Sequence, residues 1–478
     1  MNTKIAMGQN TNGNSITFRP AAGADVRITF APTVASFGWG SHWIIGTASP
    51  NSSTNNIKTD NVIFDGNNGT DDHRLTIQNT DDTFAITILG YVADSDNAIV
   101  RNTVIKQRRT ANVPLSGLRF ASIEESASVF GTPDNFIVDN NIIENLSGGG
   151  AALIIDRNGG GFDTPGSNDG LITNNTFSAT RFGIIATEHR NITIDKNLIQ
   201  VNSSVFGGRP SFRITLEVGT SNTGSFPVTI TNNIIQAAGG AASGQDSIGV
   251  FLGSTTASGG SYTCRVRNNS INSVKTTTTS PNQPNRVAGI LVADIYSFFS
   301  ISHNSISLED SSVGSGIPLI VDGNGGIVIR NGINAQEVTA TNNIVRSSVN
   351  GGYVVNIQEA NPNLTMDNNL YFADSNTQLG RVAGVDITML SALQSATGED
   401  AASVVDDPLT GAEGRWNSLA DLSLTGPAAF SVFGALPISG ISTDIEGNTR
   451  GLVNVYKGAY ELPTFANSNL QHWSLYAY

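Results

Sequence analysis

The residues best suited to chemistry are carboxylates at or just after the ends of short apolar segments, which glycine often introduces, as in GIIATE at 183–188. These carboxylates are Glu124, Asp156, Glu188, Glu217 and Asp294. The basic residues near them in the sequence are Arg119, Arg181, His189, Arg190 and Arg213, of which the last four are the candidate ligand-binding residues. Two carboxyl groups roughly 5–10 Å apart can hydrolyse a glycosidic bond, and one carboxylate beside a cation can abstract a proton next to a uronate carboxyl group. Acidic turns that only add solubility are the competing interpretation. We favour it because no His or Arg recurs at a defined spacing.

The most glycine-rich loop, DRNGGGFDTPGSND at 156–169, contains a candidate metal site. Asp156, Asp163 and Asp169 could supply the hard oxygen ligands that Ca²⁺ prefers. Their spacing fits no EF-hand, so a plain loop is the preferred interpretation. The five histidines form no H-x-H or HExxH pair that would indicate a transition-metal site. No cofactor is therefore predicted beyond this calcium option.

Charge and hydropathy limit the classes of partner. Charged residues make up 14% of the 478 residues, and the formal net charge is −13. Nucleic acids and anionic membranes are bound mainly by basic patches, so neither is a predicted partner. No apolar stretch is long enough to span a bilayer, and the first residues lack the apolar run of a signal peptide. The single cysteine, Cys264, cannot form an internal disulfide and is interpreted as a small buried core residue.

A nine-residue pattern with two central asparagines, or a close variant, recurs along the chain, as in VTITNNIIQ at 228–236. The second position of the pair falls at Asn102, Asn141, Asn175, Asn197, Asn233, Asn269, Asn304, Asn343 and Asn369. Apolar residues stand three positions before and two positions after, as at Ile230 and Ile235. In one unbroken strand that odd separation would point them to opposite faces. Asparagine tolerates the left-handed conformation, so we predict a bend at Asn232 and Asn233 that turns both strands toward one core.

The copies are spaced like the coils of a solenoid, from 22 residues apart (175 to 197) to 39 (102 to 141). The glycine-led segments predict a further strand in each coil, and the corner asparagines could stack as a hydrogen-bonded ladder. The pattern resembles the parallel β-helix repeat family, usually right-handed. The resemblance implies an all-β, right-handed parallel β-helix. Residues 1–54 are then an N-terminal cap and first strands, 55–375 the repeats, and 376–478 a small mixed C-terminal cap.

Both ends depart from the repeat. The segment at 16–32 predicts short strands around a Gly-Ala turn. The segment 386–398 predicts one short helix, with Asp386 or Thr388 as its N-cap and Gly398 just past its end. The elements ATGED, DDP, DIEGNTR and GAYE resemble the closing part of secreted β-helix proteins of the Bacteroidota lineage. That resemblance implies an exported protein, at the cell surface or released, whereas the tail 464–478 matches no known pattern.

The leading functional hypothesis is a non-enzymatic extracellular or cell-surface protein, an extended stalk or adhesin whose loops bind polysaccharide, cell-surface glycans or other surfaces. Pectin-cleaving lyases and polygalacturonase-like hydrolases share the fold, but their Arg-x-Pro-x-x-Arg, Gly-His-Gly and Arg-Ile-Lys elements are absent. NTDD at 79–82 imitates a hydrolase motif and is interpreted as an acidic turn. Two alternatives stay open: a polysaccharide lyase or glycoside hydrolase acting in an acidic groove, and a structural subunit that self-associates in an extracellular assembly.

Overall fold

A computed structural model gives the structure of the chain. It describes residues 5–7, 14–30, 41–45, 59–79, 87–92, 95–107, 116–121, 134–145, 151–156, 168–187, 190–202, 213–219, 227–238, 247–253, 263–275, 286–293, 298–309, 324–330, 337–359, 363–375, 377–410, 415–425 and 430–462.

Three long sheets run the length of the molecule. Sheet A contains β1 (Ile5–Met7), β4 (Ser41–Ile45), β7 (Thr87–Val92), β10 (Ser116–Ala121), β13 (Ala151–Asp156), β16 (Phe182–Thr187), β19 (Arg213–Gly219), β22 (Ser247–Gly253), β25 (Val287–Val292), β28 (Gly325–Ile329), β31 (Tyr353–Ile357), β34 (Gln378–Val382) and β35 (Val385–Ile387). Sheet B contains β2 (Ile16–Phe18), β5 (Val62–Asp65), β8 (Ile99–Arg101), β11 (Ile137–Asp139), β14 (Asn168–Thr173), β17 (Arg190–Asp195), β20 (Pro227–Thr231), β23 (Thr263–Arg267), β26 (Phe298–Ser302), β29 (Glu337–Thr341) and β32 (Leu364–Asp367). Sheet C contains β3 (Val26–Phe30), β6 (Leu75–Asn79), β9 (Thr103–Gln107), β12 (Ile142–Asn145), β15 (Thr176–Ala179), β18 (Leu198–Asn202), β21 (Ile234–Ala238), β24 (Ser270–Lys275), β27 (Ser305–Leu308), β30 (Ile344–Ser347), β33 (Leu370–Ala373) and β36 (Val404–Val405).

Smaller elements follow the last coils. They are α1 (Leu390–Thr397), α2 (Phe430–Phe433), the pair β37 (Arg415–Trp416) and β38 (Leu424–Thr425), and the pair β39 (Gly434–Ala435) and β40 (Val455–Tyr456).

Each coil passes once through every sheet, because each sheet pairs every third strand of the chain. The pairing within the sheets is parallel, as between β17 and β20, until β35 turns back antiparallel on β34. The predicted all-β parallel β-helix is therefore confirmed. The glycine-led segments form sheet A, as predicted, and the sheets already begin within residues 1–54, with β1 to β4.

At the Asn-Asn corner between sheets B and C, the two asparagines have different structural roles. Asn232 has φ +55°, the left-handed conformation that makes the bend. Asn233 is fully buried, and its backbone N–H and Nδ2 both donate to Oδ1 of Asn269 in the next coil at 3.0 Å. The same contact links Asn141, Asn175, Asn197, Asn233, Asn269, Asn304, Asn343 and Asn369 in one continuous ladder. The ladder satisfies polar groups that the tight corner buries, which would otherwise cost free energy.

The assignment of Asn102 to the ladder position was wrong. Asn102 has φ +56° and is the bending residue of its corner. Thr103 stands at the ladder position, where its backbone N–H and Oγ1 donate to Oδ1 of Asn141 at 2.9 and 2.7 Å. The inward-facing residues of that coil are consequently Val100 and Ile105, both fully buried. Thr103, which has two hydrogen-bond donors, begins the ladder. The repeat pattern of this coil is therefore displaced by one residue toward the carboxyl terminus relative to the sequence-based assignment.

The core lies between the three sheets. In the eight other corners, both flanking apolar residues are fully buried, as at Ile230 and Ile235. Full burial of such a side chain stabilises the fold by about 1.5–3 kcal/mol. Cys264 is fully buried in the same core, as predicted. The first coils are filled by stacked aromatic rings, with Phe120 4.4 Å from Phe136 between ring centroids.

The carboxyl-terminal cap closes the ladder. The backbone N–H of Asn369 donates to Ser403 Oγ at 2.9 Å, and Tyr371 donates to Asp400 Oδ1 at the same distance. Burial raises the pKa of Asp400. Helix α1 precedes this cap. Met389, not Asp386 or Thr388, is its N-cap, and the left-handed Gly398 ends it as predicted.

Residues 443–462, called the closing segment below, fold back along the outside of the corner. Arg450 is 2% exposed and pairs with Glu461, and its Nη2 donates to Asn268 Oδ1 at 2.9 Å. The backbone N–H of Gly458 donates to the carbonyl of Asn342 at 2.8 Å. A second apolar cluster forms where this region covers the outer side chains of sheet C, with the members Ile344, Leu370, Trp416, Leu422, Leu424, Phe433, Ala459 and Tyr460. Buried polar and apolar contacts therefore hold the DIEGNTR and GAYE elements against the solenoid, and their resemblance to a family's closing segment stays a prediction.

Candidate functional site

Sheet B presents an outer face on which the parallel register aligns side chains into columns. Along β20, Val228 and Ile230 point into the core while Thr229 and Thr231 alternate with them outward. The first outward column consists of Thr17, Ile63, Ile99, Ile137, Leu171, Thr193, Thr229, Arg265, Ser300, Thr339 and Thr365. The second outward column, two residues further along each strand, consists of Asp65, Arg101, Asp139, Thr173, Asp195, Thr231, Arg267, Ser302, Thr341 and Asp367.

The carboxyl-terminal half of this face, strands β20 to β32, is rich in hydroxyl groups. Thr229, Ser300 and Thr339 of the first column are half-buried, and Thr365 is exposed. Neighbouring strands lie about 4.8 Å apart, so the column is a row of donors and acceptors at a nearly constant spacing. Because the core and the asparagine ladder hold the strands, this row is already ordered before any ligand binds.

Two arginines interrupt the hydroxyl row on β23. Arg267 Nη2 donates to Ser300 Oγ at 3.2 Å, while Arg265 is half-buried in the first column between Thr229 and Ser300. Burial, and secondarily the charge of Arg265, lowers the pKa of Arg267. The pair concentrates positive charge on a chain whose net charge is −13. It is suited to contact carboxylate or sulfate groups.

The start of the closing segment and the residues just before it border this half of the face. Asn342 Nδ2 donates to the carbonyl of Leu436 and Asn268 Nδ2 to that of Thr443, both at 2.7 Å. His303 lies between these contacts, fully buried, in the left-handed corner position. Its Nε2 accepts a hydrogen bond from Asn342 Nδ2 at 3.0 Å. The other ring nitrogen, Nδ1, therefore carries the proton and donates to the carbonyl of Tyr456. Burial, and next the charge of Arg450, holds the pKa of His303 well below its usual range.

The carboxylates singled out in the sequence are only partly described. Asp156 ends β13 and Glu217 lies within β19, both in sheet A. Glu217 pairs with Ile185, and Ile185 pairs with Ile154, so Glu217 lies two positions before Asp156 in the register of sheet A. One strand also separates them, so the backbone does not bring these two residues to a single level. The other three, Glu124, Glu188 and Asp294, lie outside the described residues, and the acidic groove stays a prediction.

The predicted basic residues are spread over two sheets. Arg181 precedes β16, and its guanidinium carbon lies 4.8 Å from the centroid of the Phe182 ring. Arg213 begins β19 in sheet A, whereas Arg190 begins β17 in sheet B. His189 lies outside the described residues.

The calcium hypothesis also stays a prediction. Asp169 is exposed with φ +54°, and its Oδ1 accepts a hydrogen bond from Nδ2 of Asn191. Asp163 lies outside the described residues, and only the backbone of Asp156 is described. Within the described part of the chain, no group of three His, Cys, Asp or Glu side chains is arranged to hold a metal ion.

A polar cluster at the end of sheet A was not found from the sequence. Arg381 Nη1 lies 2.9 Å from Asp386 Oδ1 and 3.1 Å from the hydroxyl of Tyr353, which itself donates to Asp386. A phenol beside an arginine is a conceivable general base. Burial raises the pKa of Tyr353, however, so the phenol stays protonated near neutral pH and the cluster is better explained as a clamp on the β34–β35 hairpin.

Sequence reasoning also missed the outward columns of sheet B. Their signal was present as alternation, in TIT at 229–231, RVR at 265–267, SIS at 300–302 and TAT at 339–341. Each triplet directly precedes an asparagine corner, which fixes the same register in every coil. Among the described residues, the stacked rings of Tyr91, Phe120 and Phe136 are part of the core and not of this face. Neither described helix is long and apolar enough to cross a membrane.

One comparison with known proteins agrees with the architecture. A family model described as "Right handed beta helix region" matches residues 111–285, so the hand of the predicted solenoid is confirmed as well as its repeat. Among solved structures, the complex of XylC with xylose is similar at 11% sequence identity and a TM-score of 0.37. The match covers 85% of this chain and 67% of that one. No curated protein matches the sequence.

Proposed function

We propose that the protein is a non-enzymatic extracellular or cell-surface β-helix that binds an extended acidic glycan along the carboxyl-terminal half of sheet B. The observation that carries the proposal is the in-register row of hydroxyl side chains, with Arg265 and Arg267 on its second strand, β23. Hydroxyl groups and arginine match the hydroxyl and carboxylate groups of such a polymer. Because the row is already rigid, its side chains lose less conformational entropy on binding than flexible side chains would.

The proposed location and origin rest on the closing segment. Its resemblance to the end of secreted Bacteroidota β-helix proteins supports an exported protein of that lineage. The net charge of −13 suits a soluble exposed surface and concentrates attraction for anions at the few basic positions. We therefore expect binding to be weakened by salt, because screening acts on exposed charges.

Binding of the purified chain to acidic and neutral polysaccharides, by glycan array and then by calorimetry, tests the proposal. We expect acidic polymers to bind. The Arg265→Ser substitution is expected to lower the affinity for them by about tenfold, the effect of one good charge contact. Arg27→Ser is the matched control, because Arg27 is an exposed strand arginine on sheet C. Equal losses in both variants, or no binding at all, would contradict the assigned face.

The enzymatic alternative is tested with the same polymers. New reducing ends or the ultraviolet absorbance of unsaturated uronates would reveal cleavage. We expect neither. Product that disappears in Glu188→Gln or Glu217→Gln would instead establish a lyase or hydrolase with its site on sheet A.

A further inference from the structure

The amino-terminal half of the sheet B face, strands β2 to β17, has a first column that reads nearly the same from either end. Its order is Thr17, Ile63, Ile99, Ile137, Leu171 and Thr193. Threonines end the row, and four aliphatic residues stand between them. Leu171 is 37% exposed, and the three isoleucines are only half-buried. A continuous aliphatic row on an outer sheet face is typical of a surface that another surface covers.

Charges in the second column complement one another when that column is reversed. Phe18 pairs with Phe64, so the next residues, Arg19 and Asp65, are level when the register is continued by one position. The order of the column is then Arg19, Asp65, Arg101, Asp139, Thr173 and Asp195. If a second copy of the column is laid over the first in reverse order, Arg101 faces Asp139 of the other copy, and Arg19 faces Asp195 of the other copy. Asp65, which Arg101 already holds at 2.9 Å within the chain, then meets the neutral Thr173.

We propose that this half-face binds a second copy of the chain in an antiparallel two-fold arrangement, with the axis parallel to the strands between β8 and β11. Ile99 then packs on the partner's Ile137, and Ile63 packs on the partner's Leu171. Arg101 meets the partner's Asp139, and the symmetry repeats every contact. Carboxyl-terminal strands β20 to β32 stay free for the proposed glycan.

The positions two residues before the first column are compatible with this arrangement. They are Ser15, Asn61, Asn97, Asn135, Asp169 and Asn191. Reversal sets Asp169 against the amide of Asn61 and Asn97 against Asn135, so no like charges meet at these six positions. The aliphatic and charged columns are both self-complementary about one axis, which favours a second copy over an unrelated partner.

The size of the face predicts a weak dimer. Six strands about 4.8 Å apart and five residues of about 3.3 Å give roughly 400 Å² per copy. Stable complexes bury about 800 Å² per partner, so a dissociation constant in the micromolar range or above is expected.

Sedimentation velocity of the whole chain, over a hundredfold range of concentration at low salt, tests the proposal. We expect reversible dimerisation that Arg19→Asp or Asp195→Arg weakens by about tenfold, because each sets like charges together. The double variant Arg19→Asp with Asp195→Arg exchanges the charges and restores the dimer to within about threefold of the original constant.

Glu337→Arg is the matched control, since Glu337 is an exposed acid on β29 of the same sheet but outside the half-face. It leaves the dimer unchanged. Circular dichroism melting confirms that each variant is folded. A monomer at every concentration, or a dimer that responds equally to all charge reversals and is not restored by the exchange, overturns the proposal. Glycan binding is measured separately, so either proposal can fail alone.

Discussion

Asn232 and Asn233 are neighbours with the same side chain and different roles. Asn232 bends the chain with φ +55°, and its Nδ2 donates to Asp195 Oδ1 at 2.7 Å. Asn233 is fully buried, accepts from the backbone N–H of Asn197, and donates to the carbonyl of Ile194. The first role needs a tolerant backbone, and the second needs an amide of that length and polarity.

We expect Asn233→Ala to lower the free energy of unfolding by about 3 kcal/mol or more, because several buried groups lose their partners at about 1–3 kcal/mol each. Asn232→Gly keeps the left-handed conformation and changes it by less than about 1 kcal/mol. Urea denaturation followed by circular dichroism measures both. Similar losses of unfolding free energy in the two variants would show that the two asparagines do not have different roles.

We expect His303 to make the docking of the closing segment depend on pH. Its folded pKa is depressed, because burial and the charges of Arg450 and Arg267 disfavour the imidazolium, and Tyr456 and Asn342 supply the facing polar contacts. The unfolded state therefore binds more protons below about pH 6.5. The stabilisation is complete above that pH and falls as the pH drops toward the folded pKa.

His303→Asn is the matched variant, since asparagine occupies the same corner position at Asn268 and Asn342. We expect limited proteolysis of the closing segment to accelerate between about pH 7 and pH 5 in the original chain. The variant loses most of that dependence. Acceleration of equal size in both proteins would assign the effect to carboxylates such as Glu461, whose pKa burial raises.

At the scale of elements, the closing segment depends on close backbone approach to sheet C. Gly458 has φ +81°, and a Cβ there would lie 2.6 Å from Ser305 Oγ and 2.8 Å from Ile344 Cδ1. The backbone N–H of Ala459 donates to the same Ser305 hydroxyl at 3.0 Å. Only glycine fits both the conformation and the space.

Gly458→Ala is expected to lower the melting temperature clearly more than Gly447→Ala. Gly447 has φ +88° with nothing within 4 Å of an added Cβ, so it pays only the conformational cost of about 1–2 kcal/mol. Calorimetry of the two variants separates strain from steric clash. Equal shifts would show that the packing against sheet C contributes little.

At the scale of the whole molecule, stability is expected to decline from the centre of the solenoid toward its ends. Each coil contacts mainly its neighbours, so central coils are supported on both sides. Hydrogen exchange measured by mass spectrometry is expected to be slowest in β17, β20 and β23 and faster in β2 and β5. Uniform exchange in a single step would instead indicate that the molecule unfolds as one unit.

Much of this architecture was determined by the sequence alone. An odd spacing between apolar residues requires a corner, and asparagine is the residue whose backbone permits it, so the coils, the core and the ladder could be predicted from local chemistry. Asn102 was misassigned because Thr103 takes the ladder position through a hydrogen bond to Asn141 that the local pattern does not encode. The N-cap of α1 was misassigned because it is Met389, whose side chain makes no capping hydrogen bond, so no capping residue marks the position in the sequence.

Only the tertiary structure decided which residues share a surface. Arg101 and Asp139 are adjacent in a column although 38 positions separate them in the chain, and Arg450 reaches Asn268 across 182. The coils differ in length, so sequence spacing cannot align outward residues of one coil with those of the next. Hydrogen bonds between coils set that alignment, and with it the face that carries both proposals.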